Sequence, residues 1–366
     1  TGTAFITFKS QSSAQLCSQS ISHSESQLCH TELAPEPRDV LWANHTVSAN
    51  GKWVRRIIVN LSLWALTILW LFPSTYFVSF ASYDKLSERW PFLVIVGTAN
   101  PWLKSIIQNV LPSILISLFM VAMPNIFLGI STWECFSSYS ALESAVVNRY
   151  YRFAIFNVLF VFLLGFAFIE VILEVIQTPT SITSVLAKNL PQGAAFFINY
   201  VILQTASHGL EIAQVGSSLF HSFIFANRWY ARTPRDLQHA RRPWAFPFYY
   251  YFPTHILVLV ICITYSMINS LILLCGVMYY GIGLVVYKYQ FAFVYVKRYE
   301  YNGKYWRYVF RYVSDGLLIF QLSMIGILAL KQAFSPSIGL VPLLGITVAF
   351  KVVCRSKFRD RMKYIP

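Results

Sequence analysis

The stretch FFINYVILQTASHGLEIAQVGSSLF, residues 196–220, sets Asn199, His208, Glu211 and Gln214 into an otherwise apolar run. Polar side chains are costly in hydrocarbon, and where they occur in a span they face a bundle interior or water. His208 and Glu211 are three residues apart and share one helix face. No third ligand accompanies them, so a metal site is not indicated. Two chemistries stand open for the pair: a mutual hydrogen bond, or the lining of a wet path. Gly209 sits between them. Glycine there could let a long helix bend and serve as a gate hinge, or could admit close contact with a neighbouring helix. Asn157 in NRYYRFAIFNVLF and Asn199 are isolated amides, suited equally to interhelical hydrogen bonds and to pore lining. Glu170 and Glu174 lie one helical turn apart. They either draw cations to an outer mouth or mark the outer end of a span. The chain carries no Gly-rich phosphate loop, no H-E-x-x-H and no G-x-S-x-G, and we read it as no enzyme.

The elements that must position these residues are apolar runs near 20 residues, long enough to cross about 30 Å of hydrocarbon. Hydrophobic residues make up 56% of the 366 and charged residues 12%, which excludes an ordinary soluble globule. Eight such runs are legible, at 57–78, 105–129, 151–176, 194–225, 253–269, 271–289, 316–332 and 338–353. The fold class is therefore an all-α polytopic membrane protein of about eight spans. Residues 1–52 read as the end of a cytosolic linker and its strap, 53–353 as the membrane domain, and 354–366 as a basic cytosolic tail. In the first of these, AFITF alternates like a strand and SQSSAQLCSQSI suits a following helix, a β–α piece of an RNA-recognition-like domain. No basic groove accompanies it, so its phenylalanines read as core and nucleic acid is not an expected partner. LAPEPRDVLW, residues 33–42, is stiff and charged: Pro35 and Pro37 hold the preceding residues extended.

The net charge of +14 belongs with topology and lipid headgroups. With residues 1–52 cytosolic, one side gathers Arg149, Arg152, Arg228, Arg232, Arg235, Arg241, Arg242, Lys297, Arg298 and the tail cations. The other side holds Lys85, Arg89, Lys104, Lys188 and Lys331. Both ends of the chain then face the cytosol, and the sequons at Asn44 and Asn60 are expected to stay unglycosylated. Segment 228–252, basic and then rich in proline and aromatics, suits either an interfacial or re-entrant segment or a solvated loop. The six cysteines show no paired C-x-x-C spacing and give no zinc or disulfide framework.

APEPRDVLW (34–42), AAFFINYVILQ (194–204) and TYSMINSLILLCGVMYYGIGLVVYKYQFAFVY (264–295) resemble the OSCA/CSC family of hyperosmolality- and stretch-gated, calcium-permeable cation channels, fungal members included. AFITFKSQSSAQ, NRYYRFAIFNVLF and GKYWRYVFRYVSDGLLIFQLSMIG carry the likeness over nearly the whole chain. The resemblance implies an eleven-span, anoctamin-like subunit of which this chain is a C-terminal part, with a pore in each subunit and a homodimer common. Permeant cations including calcium, and membrane lipids, are the implied partners, and the membrane is the plasma membrane or an endomembrane. The family's pore-helix glutamate falls on Glu211, its glycine region on Gly209, and the neighbouring pore helix brings in Asn157. Ser270 and Leu274 stand where the family usually has prolines. A phospholipid scramblase, or a non-conducting regulatory relative, is the alternative reading; no cofactor is implied.

Overall fold

The computed structural model describes residues 3–20, 31–73, 111–160, 182–213, 223–227, 230–301 and 303–358. Among these residues the chain is helical and forms no sheet. The helices are α1 (Gln11–Gln19), α2 (Ala49–Leu69), α3 (Leu111–Thr132), α4 (Tyr139–Ala154), α5 (Ile182–Ile212), α6 (Pro234–Ala240), α7 (Phe248–Tyr265), α8 (Leu271–Phe293), α9 (Lys304–Leu330) and α10 (Phe334–Phe358). Among the described residues, six helices are long and apolar enough to cross a membrane: Ala49–Pro73, Ile114–Thr132, Phe248–Tyr265, Leu271–Phe293, Tyr305–Ala329 and Phe334–Phe358.

Two of the eight expected runs fall outside that group for separate reasons. The third is described only as far as Phe160, where α4 passes into a wide π turn, Ile155–Phe160. The fourth overlaps α5, whose 31 residues extend roughly 46 Å at 1.5 Å per residue. Its polar residues keep its mean hydropathy low, while its length is ample. Several helices also start before their apolar windows. α9 begins at Lys304 although its apolar run begins at 316, because the tyrosines of its first turns pack inward: Tyr305 and Tyr312 are buried. Gly303, at φ +65°, takes the left-handed conformation that starts this helix sharply.

α5 is the central element, packed along α8, α9 and α3, while α7 joins α4 to α9 and α10 lies against α9. The core is largely aromatic. Tyr150, Tyr200, Tyr265, Tyr279, Phe127, Phe153 and Phe197 are among its fully buried side chains. Aromatics near span ends do more than form an interfacial belt. Phe246 packs on Tyr251 at 5.0 Å and Phe291 at 4.7 Å, and Val296 N–H donates to the Trp244 carbonyl at 3.0 Å. The described part of segment 228–252 thus folds over the end of α8.

Close helix contacts occur at glycines the sequence did not single out. A Cβ at Gly276 would meet the Cys262 Sγ at 2.8 Å, and one at Gly316 would meet Val260 at 2.6 Å. Around Gly209 no atom from another helix lies within 4 Å of such a Cβ among the described residues. α5 runs through Gly209 and continues with Ala213 N–H donating to the Gly209 carbonyl at 3.2 Å. Between α7 and α8 the chain breaks without proline. Ile268 and Asn269 N–H groups close on the Tyr265 carbonyl, and the Asn269 side chain accepts from Leu271 N–H at 3.1 Å.

Residues 3–8 pair with no strand among the described residues. Phe5 packs instead on Trp42 and His45, at 5.5 and 5.8 Å.

Candidate functional site

The strap LAPEPRDVLW does not float above the bundle. Val40 forms an isolated antiparallel bridge with Ser138, and Leu41 N–H donates to the Ser137 carbonyl at 3.0 Å. The Asp39 carboxylate, 4% exposed, accepts the Ser140 N–H at 2.7 Å and the Ser140 hydroxyl at 2.5 Å. Ser138 caps the same helix end from within, its hydroxyl accepting from Ala141 N–H at 3.2 Å. The α4 N-terminus therefore receives one cap from its own chain segment and an anionic one from the strap, which suits both its orphan donors and its dipole. Glu36 accepts the Glu300 N–H at 3.2 Å, tying the strap to the loop after α8.

Beside this junction, Glu134 in the α3–α4 turn joins Arg149 of α4 and Arg56 of α2, the latter at 2.9 Å. Arg149 also donates to Ser131 at 2.9 Å and to the Asn60 side chain at 3.1 Å. Arg149 is buried, so its charge serves this ion pair and not the lipid headgroups to which sequence alone consigned it. The Asn44 amide donates to the Phe136 carbonyl at 2.8 Å. Both sequon asparagines are thus occupied by internal contacts.

Behind the strap lies a cavity of about 760 Å³. At about 30 Å³ per water in the liquid, it holds many solvent molecules or a hydrated cation. Its walls come from the strap, α3, α4, α5, the start of α7, Tyr279 of α8 and the loop after α8. Glu211, His208, Gln204 and Ser207 of α5 line it together with Glu143 of α4 and His255 of α7.

Two of the expected site residues therefore meet in one place. His208 is buried, and its Nδ1 lies 3.5 Å from Glu211 Oε2. Asn199 sits further back along α5 and Asn157 in the π turn, and neither lines the cavity. Asn157 is buried, with its amide donating to the Phe153 carbonyl of its own helix at 3.2 Å. Gly209 also points elsewhere than the cavity wall. Gln214, Glu170 and Glu174 lie outside the described residues.

Sequence reasoning missed Glu143. Tyr301 and Tyr299 donate hydroxyl hydrogen bonds to its Oε2, the latter at 3.2 Å, and Tyr249 N–H approaches Oε1 at 3.4 Å. Glu143 lies before the apolar run of its helix. Burial raises its pKa above the usual carboxylate range, partly offset by the hydrogen bonds from Tyr301, Tyr249 and Tyr299. Asp39 and Glu134 were equally invisible as partners, because their contacts lie many residues away in sequence. The tyrosines and Gln290 of α8 had a signal: polar groups recurring on one face of an apolar helix.

A family model described as "Calcium-dependent channel, 7TM region" matches residues 55–328. The chain belongs to the OSCA/CSC channel family. A second model, described as the cytosolic domain of a 10TM phosphate transporter family, matches residues 1–44, which include the strap. Among relatives of this OSCA/CSC chain is hyperosmolality-gated Ca2+ permeable channel 2.5 of Arabidopsis thaliana, 32% identical over 99% of this chain and 50% of its own length. The vacuolar transmembrane transporter penV of Penicillium rubens is 32% identical over 99% of this chain and 44% of its own. Calcium permeable stress-gated cation channel 1 of Schizosaccharomyces pombe is 29% identical over 100% of this chain and 46% of its own. The chain spans about half the length of these relatives. Membership of the OSCA/CSC family and the apolar helices make it an integral, multi-pass membrane protein.

Proposed function

We propose that the full-length protein is an osmotically or mechanically gated, non-selective, calcium-permeable cation channel with a pore in each subunit. The observation that carries this is the cavity itself, where a carboxylate from a central helix, Glu211, lines a space large enough for hydrated ions. A fixed negative charge in a low-dielectric wall concentrates cations. The printed names of the plant and fission-yeast relatives support calcium permeability and gating by osmolality or stress.

In this reading the cavity is the cytosolic mouth of the path, and the strap joins the cytosolic domain to the α4 N-terminus. Residues 55–328 match a model described by seven spans, and α10 follows them, which supports eight spans here with both ends of the chain cytosolic. An eleven-span subunit in a homodimer, with domains divided at 52 and 353, completes the proposal. Asn157, Asn199, Gly209 and Gln214 belong to the path above the cavity, and Glu170 and Glu174 to its outer mouth. Membrane tension favours the state of larger in-plane area, and the strap transmits displacement of the cytosolic domain to the same equilibrium.

Purified full-length protein in liposomes tests this. Stretch-evoked cation current is the expected result. Lipid flipping without ion flux in the same preparation would assign the cavity to a scramblase, and neither activity would argue for a regulatory relative.

A further inference from the structure

Helix α8 turns one polar face toward α5. Tyr279, Gly283, Tyr287 and Gln290 recur at spacings of four, four and three, the register of a single helix face. Gly283 leaves a notch in that face, and the His208 imidazole fills it. A Cβ at position 283 would lie 3.1 Å from His208 Nε2 and 3.5 Å from its Cε1. The notch has walls. His255 of α7 places Nδ1 2.6 Å from the Tyr279 hydroxyl and Nε2 3.0 Å from the Tyr287 hydroxyl, bridging the residues four before and four after the glycine. The His208 ring then stands 4.7 Å from Tyr279, 5.6 Å from Tyr287 and 5.9 Å from His255, centroid to centroid.

With Nε2 directed into the notch, His208 directs Nδ1 toward the Glu211 carboxylate, 3.5 Å away. Neither ring nitrogen of His208 has a hydrogen-bond partner among the described residues, so its 3.5 Å approach to Glu211 acts through packing and electrostatics. Gln290, fully buried two turns along α8 from Gly283, donates to the Glu211 backbone carbonyl at 2.9 Å and fixes the same residue from its main chain.

We propose that Gly283 is a positioning residue for permeation: its notch seats His208, and His208 holds the Glu211 carboxylate at the cavity wall. This rests on the reading that Glu211 lies on the cation path. An alanine at 283 pushes the imidazole off α8 by a few tenths of an ångström, with the clamped tyrosines leaving it no sideways room, and shifts the carboxylate with it.

Single-channel recording from the full-length protein tests the assignment, because unitary conductance does not depend on how many channels reach the membrane. Gly283→Ala is expected to lower unitary cation conductance on the order of twofold, since only part of the local charge effect is displaced. His208→Asn, which keeps the notch and removes the ring, is expected to do the same. In a Glu211→Gln background, neither change should lower conductance further. Equal losses with and without the Glu211 charge would overturn the proposal, as would unchanged conductance in His208→Asn even if Gly283→Ala failed to fold. The two readings separate cleanly. If Glu211→Gln alone leaves conductance unchanged, the placement of Glu211 on the path fails. If it lowers conductance while Gly283→Ala and His208→Asn do not, the positioning role alone fails.

Discussion

Asp39 caps a helix that begins a hundred residues further along the chain: its carboxylate takes the Ser140 N–H at 2.7 Å and the Ser140 hydroxyl at 2.5 Å. The strap is thereby fastened at a point where its negative charge also meets the positive end of α4. Replacing Asp39 by Ala removes both bonds. By analogy with ordinary N-caps the loss is about 1–2 kcal/mol. We expect a lower unfolding midpoint in detergent and a shifted tension for half-maximal opening. A variant whose tension curve superimposes on the parent would show that the strap does not transmit gating.

Glu134 and its two arginines should respond unequally. Arg149 is buried, so Glu134→Gln leaves a charge without its counter-charge and should cost about 3–5 kcal/mol. Arg56 is 65% exposed at its side chain, so Arg56→Ala should cost less than about 1 kcal/mol. Thermal unfolding of the two variants side by side checks the order; equal losses would mean that burial of Arg149 is not what makes the pair matter.

Glu143 should imprint a pH dependence on stability. Burial raises its pKa in the folded protein above the unfolded value, so the folded state holds the proton more tightly. Stability on this account falls as pH rises from the ordinary carboxylate value, about 4.3, through the raised one. Glu143→Gln keeps the shape without the ionisation. Unfolding midpoints measured from mildly acidic to neutral pH should decline more steeply for the parent than for the variant. Parallel curves would refute the assignment.

Much of the fold could be read from hydropathy because apolar runs of membrane length have few other uses. Helix starts were harder. The first turns of α9 and α4 are polar or aromatic and owe their burial to neighbours such as Glu143 and Tyr151, not to local pattern. Of the site, the His208–Glu211 pair was legible because three-residue spacing is a local fact. What surrounds it was not. Gly283, His255 and Gln290 act through contacts between helices, and Asp39 acts across 101 residues. The proline-and-charge strap gave its stiffness in sequence but not its dock. Gly209, conspicuous beside the polar pair, makes no close contact among the described residues, while the inconspicuous Gly283 does.

The central claim is that the charge of Glu211 acts on permeating cations. Its most direct test is the unitary conductance of full-length Glu211→Lys channels under fixed tension. A reversed charge at the cavity wall should cut cation conductance severalfold and lower the cation-over-chloride permeability ratio. Conductance and permeability ratio both equal to the parent's would contradict the account.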